Sequence, residues 1–138
     1  MRILIINGPN LGNIGRREPE IYGHENFDEY IDKLKAKFPE HQIDYYQSHI
    51  EGEIVARLHR TETEKYDGVV LNAGAYSHSS YSIRDAVAAI SIPVTMVHIS
   101  NVYEREHFRH ENAIAAKCKG TITGFGLKSY ELAIYSLL

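Results

Sequence analysis

A continuous apolar run, Gly68-Val69-Val70-Leu71, decides the fold class of this chain. Strands with one wet face alternate polar and apolar residues, whereas an unbroken aliphatic run is typical of a strand that is buried on both faces. Such strands belong to parallel sheets that are covered by helices on either side. The run therefore predicts a central strand of an α/β sheet.

Four further strand-like segments lie outward from this run, at residues 3–6, 43–46, 94–97 and 121–125. Segments with apolar residues at helical spacing separate them, at residues 27–38, 50–58, 83–90 and 130–137. Pro39 ends the first of these helices, and Ser79 or Ser80 is a candidate N-cap of the third. Residues 103–119 begin as a charged, helix-like segment and become alanine-rich.

Five buried strands separated by helices predict a doubly wound, flavodoxin-like parallel sheet with helices on both faces. The common strand order for such a sheet is 2-1-3-4-5. The 138 residues suit one domain, which we expect to span the whole chain. The one long irregular stretch runs from Gly8 to Gly23, and we expect a lid around residues 13–23.

Composition argues against several classes of function. The net charge of −3 and the scattered Lys and Arg residues disfavour a nucleic-acid partner. No apolar run reaches the roughly eighteen residues that a membrane span needs, and the N-terminal apolar run is too short for a signal peptide. The single cysteine, Cys118, is expected to be a half-buried small residue, and it favours a reducing, cytoplasmic setting.

Polar residues gather after three of the predicted strands. In a doubly wound sheet, ligands bind outside the carboxyl ends of the strands, where the strand order reverses. Strands 1, 3 and 4 are neighbours in the predicted order, so we expect the residues that follow them to share one crevice. These residues are Asn7, Asn10, Arg16, Arg17 and Tyr22 after strand 1, Asn72, Tyr76, Ser77 and His78 after strand 3, and His98, Ser100, Asn101, Arg105 and Arg109 after strand 4.

The side chains of this crevice suggest acid–base chemistry on a small anion. Arg17 and Arg109 can bind a carboxylate or stabilise an enolate. The amides of Ile99 and Ser100 follow a strand end, where exposed N–H groups can bind an anion.

Three side chains of the crevice are candidates for proton transfer. His78 and His98 can donate or accept a proton near neutral pH. Tyr22 lies five residues after Arg17, and a close arginine lowers the pKa of a tyrosine from about 10. Taken singly, each has an ordinary structural role as well: a surface histidine, or a tyrosine that anchors the lid. Their common location favours a joint function.

Other motifs are weaker. The glycine-rich stretch at residues 8–15 lacks the spacing of a P-loop or of a dinucleotide-binding turn. His107 and His110 lie among glutamates, but no three ligands have a recognisable metal-binding spacing, so a solvated helix face is favoured over a metal site. We therefore expect neither a metal nor a cofactor.

With these residues assembled, the chain closely resembles the type II 3-dehydroquinate dehydratases of the shikimate pathway. Four segments carry the resemblance: Ile-Asn-Gly-Pro-Asn-Leu-Gly at 6–12, Gly-Arg-Arg-Glu-Pro-Glu-Ile-Tyr-Gly at 15–23, Leu-Asn-Ala-Gly-Ala-Tyr-Ser-His-Ser-Ser at 71–80, and Val-His-Ile-Ser-Asn at 97–101. Arg105-Glu-His-Phe-Arg109 extends the last of them. Their order and spacing also match, and the resemblance covers essentially the whole chain.

The resemblance implies a lyase that removes water from 3-dehydroquinate by anti elimination through an enolate, without metal or cofactor. The base would be Tyr22, with Arg17 lowering its pKa and Asn10 holding a water at the enolate oxygen, and His98 would be the general acid. Substrate binding falls to Asn72, His78, Ile99, Ser100 and Arg109. The resemblance also implies a homododecamer built from trimers, in which Asp85 reaches a neighbouring subunit's site.

One position departs from the family pattern. The family usually has Glu two residues before the catalytic histidine, where this chain has Met96. Positions two apart in a strand share a face, so a glutamate there could orient the histidine and favour its charged form. We expect His98 to rely on another partner or to have a lower pKa.

Two other functions are compatible with the fold. The first is a non-catalytic flavodoxin-like module that binds a nucleotide or phosphate through residues 8–15. The second is a scaffold in which the arginines and tyrosines form subunit contacts. Neither requires Asn10, Arg17, Tyr22, Asn72, His78 and His98 together, so the enzyme is the favoured interpretation.

Overall fold

The structure is a computed structural model that describes residues 1–13 and 26–138. The expected lid at residues 13–23, with Arg17 and Tyr22, falls almost entirely on residues 14–25, which lie outside the described part of the chain. The fold is therefore described on both sides of this segment.

Five parallel strands form one sheet in the order β2-β1-β3-β4-β5, as the sequence predicted. The strands are β1 (Arg2–Asn7), β2 (Gln42–Gln47), β3 (Gly68–Asn72), β4 (Val94–His98) and β5 (Gly120–Thr123). The last strand ends two residues earlier than predicted because the chain turns at Gly124, whose φ is +95°. Few residues other than glycine adopt such a conformation.

Helices cover both faces of the sheet. They are α1 (Phe27–Lys37), α2 (Glu51–Thr63), α3 (Tyr81–Ala89) and α4 (Lys128–Leu137). Ser80 is the N-cap of α3: its side chain accepts a hydrogen bond from the Ile83 N–H at 3.0 Å. This settles the choice between Ser79 and Ser80.

The sheet divides the core into two layers because neighbouring strand residues point to opposite faces. Ile3 and Ile5 pack with Leu34 and Tyr130 of α1 and α4, whereas Leu4 packs in the layer of α2 and α3. Both faces of β3 and β4 are therefore buried, which explains why their sequences lack polar alternation.

Residues 102–119 form no α-helix, although the charged beginning of this stretch is helix-like in sequence. They form three short 3-10 turns, Val102–Glu104, His107–His110 and Ala115–Lys117. Asn112 contributes to this outcome because its Oδ1 accepts from the N–H groups of both Ile114 and Ala115 at 2.9 Å. Such local side-chain bonds compete with the backbone bonds of a helix.

Within residues 1–13 and 26–138, the structure has no helix whose length and apolar character would let it cross a bilayer.

Candidate active site

A crevice opens at the carboxyl ends of β1, β3 and β4. It is lined by Pro9, Asn10, Leu11, Asn72, Gly74, Ala75, His78, His98, Ile99, Ser100, Val102, Arg105 and Arg109. Eight of the residues predicted for the crevice are among them: Asn10, Asn72, His78, His98, Ile99, Ser100, Arg105 and Arg109. The fold thus brings together side chains that are up to 99 positions apart in sequence, taking Asn10 and Arg109 as the extremes.

The turns after β1 and β3 are pressed against each other at one side of the crevice. The Gly8 N–H donates to the Asn72 carbonyl oxygen at 2.7 Å, and a Cβ at Gly8 would lie 2.6 Å from the Ala73 carbonyl oxygen. No other residue fits there without moving the backbone. Asn10 follows with a left-handed φ of +67°, which asparagine tolerates better than most residues, and its N–H donates to His49 Nδ1 at 3.0 Å.

Asn72 is held in one orientation by a buried relay. Its Nδ2 donates to the Tyr130 hydroxyl at 2.8 Å, and that hydroxyl donates to Asn7 Oδ1 at 2.7 Å. Its Oδ1 accepts from the Gly74 N–H at 3.2 Å. Burial raises the pKa of Tyr130, so the phenol stays neutral and keeps its proton for Asn7. Asn72 Nδ2 retains a second hydrogen that can bind a ligand.

Two successive peptide groups after β4 turn the same way. The Gly124 N–H donates to the His98 carbonyl oxygen at 3.1 Å, and the Gly126 N–H donates to the Ile99 carbonyl oxygen at 2.9 Å. A trans peptide places its N–H opposite its C=O, so the N–H groups of Ile99 and Ser100, two residues that line the crevice, both point away from Gly124 and Gly126. Paired N–H groups of this kind form a binding site for an anion.

The two histidines lie face to face. Their ring centroids are 6.0 Å apart and their planes differ by 16°. His78 Nδ1 lies 2.6 Å from the Glu111 carbonyl oxygen, which can only accept, so Nδ1 carries the proton and Nε2 is left for a ligand. Burial, with a smaller contribution from His78, lowers the pKa of His98 to about 4. His98 is therefore a neutral imidazole at neutral pH.

Arginines supply the positive charge of the crevice. Arg109 Nε donates to Glu106 at 3.2 Å, and its guanidinium lies 4.8 Å from the centroid of the Phe108 ring. Arg105 Nη1 is 3.4 Å from Ser100 Oγ. Among the described residues that line the crevice, none is acidic. This composition suits an anionic ligand.

Asp85 does not line the crevice. It lies on α3 with its side chain 70% exposed, and it pairs with the neighbouring Arg84 at 3.0 Å. Arg17 and Tyr22 lie outside the described residues, so the structure does not place them.

Two residues of this region could not be predicted from the sequence. The apolar spacing of Tyr130 predicts a position in the core of the last helix, yet its hydroxyl orients Asn72. Asn112 donates from Nδ2 to His98 Nε2 at 3.1 Å. It lies in a segment without clear periodicity, and nothing in its local sequence signals contact with a residue fourteen positions away.

Two other sequence-based interpretations concern ligand chemistry. Cys118 is half-buried, as expected, and burial raises the pKa of its thiol to about 11, so it is a poor nucleophile. No three His, Cys, Asp or Glu side chains among residues 1–13 and 26–138 are placed to share a metal ion.

Comparisons with known proteins agree with this geometry. The profile of the family described as "Dehydroquinase class II" matches residues 1–138. A protein of Exiguobacterium sp. named 3-dehydroquinate dehydratase is 51% identical over 139 aligned positions, which cover 100% of this chain and 94% of that protein.

Solved structures show the same similarity. The type II dehydroquinase of Butyrivibrio crossotus is 45% identical with a TM-score of 0.96, over 99% of this chain and 97% of that one. The type II dehydroquinase of Propionibacterium acnes is 40% identical with a TM-score of 0.93, over 99% of this chain and 94% of the other.

Proposed function

The chain belongs to the class II dehydroquinase family, and from that premise we propose that it converts 3-dehydroquinate to 3-dehydroshikimate in the shikimate pathway. The enzyme is a hydro-lyase of type II, and its reaction is an anti elimination of water through an enolate. The crevice at the carboxyl ends of β1, β3 and β4 is its active site.

Substrate binding begins with the carboxylate. Ile99 and Ser100 line the crevice with N–H groups that point the same way, and Asn72 Nδ2 has a second hydrogen that Tyr130 does not use. Each of these groups donates to a carboxylate oxygen. His78 and Arg109 also line the crevice and bind ring hydroxyls of the substrate.

The proton is removed by a residue that lies outside the described part of the chain. Tyr22, as a phenolate, takes the C2 proton, and the electron pair of the C–H bond moves onto the ketone as an enolate. Arg17 lowers the pKa of Tyr22 by its positive charge. Asn10, whose left-handed backbone faces the crevice, holds a water against the enolate oxygen.

His98 assists the departure of the C1 hydroxyl. The enolate electrons return to form the C1–C2 double bond, and the C1–O bond breaks. Hydroxide is a poor leaving group, so a proton donor at this oxygen lowers the barrier. His98 lies at the end of β4, beside the carboxylate-binding amides, and supplies that proton.

One observation carries the proposal: the paired N–H groups of Ile99 and Ser100 adjoin a buried histidine in a crevice whose described lining holds no acid. An anion site beside a proton donor is what elimination from a hydroxy acid requires. A mere phosphate sensor has no need for the histidine.

We also propose a domain organisation and an assembly for this enzyme. One catalytic domain spans residues 1–138, with a lid at 13–23 that excludes water when substrate binds. The subunits form trimers that pack into a dodecamer, and Asp85 contacts a neighbouring site from its exposed position on α3. The protein acts in the cytoplasm, which a single neutral thiol suits. Neither metal, cofactor nor nucleic acid takes part.

An ultraviolet assay tests the proposal. Dehydration creates a conjugated enone carboxylate that absorbs where 3-dehydroquinate does not. We expect turnover that persists in chelator, disappears in Tyr22→Phe, and survives in Tyr81→Phe, a control at an exposed tyrosine. Full activity of Tyr22→Phe would refute the phenolate mechanism. A folded protein without turnover that binds a mononucleotide tightly would refute the enzyme.

A further inference from the structure

Asn112 uses the entire hydrogen-bonding capacity of its side chain. Its Oδ1 accepts from the N–H groups of Ile114 and Ala115, both at 2.9 Å. Its Nδ2 lies 3.1 Å from His98 Nε2 and 3.0 Å from Met96 Sδ. A primary amide has two acceptor sites and two hydrogens, so all four are occupied.

These contacts fix which way the amide points. Backbone N–H groups can only donate, so the atom that faces Ile114 and Ala115 is the oxygen and the atom that faces His98 is the NH₂ nitrogen. An amide NH₂ can only donate, so His98 Nε2 must accept and carries no proton. The proton of the neutral ring is then on Nδ1.

We propose that Asn112 is the positioning residue for His98, holding the imidazole neutral with its proton on Nδ1, the ring nitrogen that Asn112 does not contact. The role of that proton in catalysis rests on the proposed function, whereas the protonation state itself does not. Asn112 acts through His98 and makes no contact with substrate.

The surroundings of His98 reinforce the neutral state. His78 stacks on the ring from the turn after β3, and Arg105 and Arg109 line the crevice. Tyr103 and His110 line a second cleft, which His98 and Asn112 also line. None of the described residues that line either space is acidic. Each neighbour is therefore neutral or cationic, and none favours an imidazolium.

Met96 completes this arrangement. Met96 lies two residues before His98 in β4, and its thioether sulfur accepts one of the Asn112 hydrogens. A carboxylate at this position would accept a proton from the imidazole or from Asn112 and would favour the charged ring. Met96 and Asn112 instead give His98 neutral neighbours on this side.

A neutral imidazole can still serve the elimination. Its N–H can donate to a developing oxyanion, a role known for neutral histidines with lowered pKa. As the C1–O bond breaks, the electron pair goes to oxygen and the Nδ1 proton follows it, giving water. The hydrogen bond from Asn112 stabilises the negative charge left on the ring. Solvent then returns one proton to the ring, balancing the proton that Tyr22 releases to solvent.

Nitrogen-15 spectroscopy of histidine-labelled protein tests the proposal directly. Magic-angle spinning keeps the full assembly in use, and subtracting the spectrum of His98→Gln assigns the His98 signals. We expect a protonated Nδ1 and a bare Nε2 that persist unchanged from pH 7.5 to pH 5.5. A protonated Nε2, or an imidazolium at pH 6, would overturn the proposal whether or not the protein turns over 3-dehydroquinate.

Asn112→Asp reverses the polarity of the contact without changing its shape. One carboxylate oxygen still accepts from Ile114 and Ala115, and the other now requires a proton on His98 Nε2. We expect that proton to appear in the spectrum, together with a raised pKa of His98. We expect Asn26→Asp, the same change at the N-cap of α1, to leave the His98 signals unaltered. If Asn112→Asp also leaves them unaltered, Asn112 does not set the protonation state.

Kinetics separate positioning from mere structural support. We expect Asn112→Ala to lower kcat by about 10- to 100-fold with KM within about twofold, as is typical for loss of a partner that orients a functional side chain. In the wild type, we expect the pH profile of kcat to show no limb near the ordinary histidine pKa of 6.5, and we expect Asn112→Asp to introduce one. A wild-type limb at pH 6.5 that follows His98 would contradict the proposal.

Discussion

Both ends of the sheet carry arginines, but the arginines have different neighbours at the two ends. At the amino end, Arg2, Asp44, Arg57, Glu64 and Tyr66 form a cluster, here the amino-end cluster. In it, Arg57 Nη1 pairs with Glu64 at 2.8 Å, and Tyr66 donates to Asp44 at 2.6 Å. At the carboxyl end, the described lining of the crevice offers cations, amides and imidazoles but no carboxylate.

This difference distinguishes charges that hold the fold from charges that hold a ligand. In the amino-end cluster, each arginine lies within 4 Å of a carboxylate of the chain itself, so it needs no other anion. In the crevice, Arg109 also pairs with Glu106 through Nε, but Glu106 is not among the lining residues, so a ligand meets guanidinium, amide and imidazole groups and no carboxylate of the described lining. Changes in the crevice should therefore affect catalysis more than stability, and changes in the amino-end cluster should do the reverse.

The largest expected effect is on turnover. His98→Gln removes the proton donor while keeping a polar side chain at the end of β4, and we expect kcat to fall by about 10²- to 10⁴-fold. The melting temperature should change little by comparison. Steady-state kinetics and thermal unfolding of the same preparation measure both. A variant with normal kcat and reduced stability would place His98 with the structural residues and break the comparison.

A second effect is the loss of folding stability at low pH. Burial holds the pKa of His98 at about 4, below its ordinary value of 6.5, so between these pH values the unfolded chain binds a proton that the folded chain does not. Stability therefore falls as the pH drops through this window, by up to about 3 kcal/mol below pH 4. Urea unfolding at several pH values should show a shallower decline in His98→Gln. Parallel curves for the two proteins would contradict the low pKa.

A smaller effect is expected from the amino-end cluster. Arg57→Met keeps much of the buried side-chain volume but removes one ion-pair partner of Glu64, which among the described residues still pairs with Arg60. We expect a loss of about 1 to 3 kcal/mol in the free energy of unfolding, since Glu64 remains partly solvated. At a temperature where the variant is folded, kcat/KM should equal that of the wild type. A large loss of kcat/KM would show that the two ends of the sheet are coupled.

The smallest effect is expected at Tyr130, which connects the core to the crevice through its hydroxyl. Tyr130→Phe removes the hydroxyl that bonds to both Asn7 and Asn72, at a cost of about 1 to 2 kcal/mol in stability. Because Asn72 also loses its orientation, we expect KM to rise several-fold while kcat changes less. Tyr135→Phe, an exposed tyrosine on the same helix, is the matched control. Equal KM values in both variants would show that the Tyr130 hydroxyl does not affect substrate binding.

Much of this arrangement could be predicted from the sequence, and the reason is the sheet. The apolar runs around Val69 and Val97 are buried on both faces, which fixed the parallel topology and with it the edge where Asn72 and His98 meet. The paired N–H groups at Ile99 and Ser100 were expected from their place just after a strand.

The segment after β4 could not be predicted in the same way. Its 3-10 turns depend on side-chain bonds such as that of Asn112 to the Ala115 N–H, and no hydrophobic period marks them. The partner of His98 was accordingly expected from the substitution at Met96 but not identified. Tyr130 was missed for the opposite reason, because its spacing fits the helix core so well that its hydroxyl left no signal.

The central claim is that the crevice after β1, β3 and β4 binds 3-dehydroquinate with its carboxylate on the amides that follow His98. A crystal structure of His98→Gln soaked with 3-dehydroquinate tests this most directly. We predict the carboxylate within hydrogen-bond distance of the Ile99 and Ser100 N–H groups, and the C1 hydroxyl facing residue 98. Substrate bound elsewhere, or with its carboxylate turned away from these amides, would contradict the account.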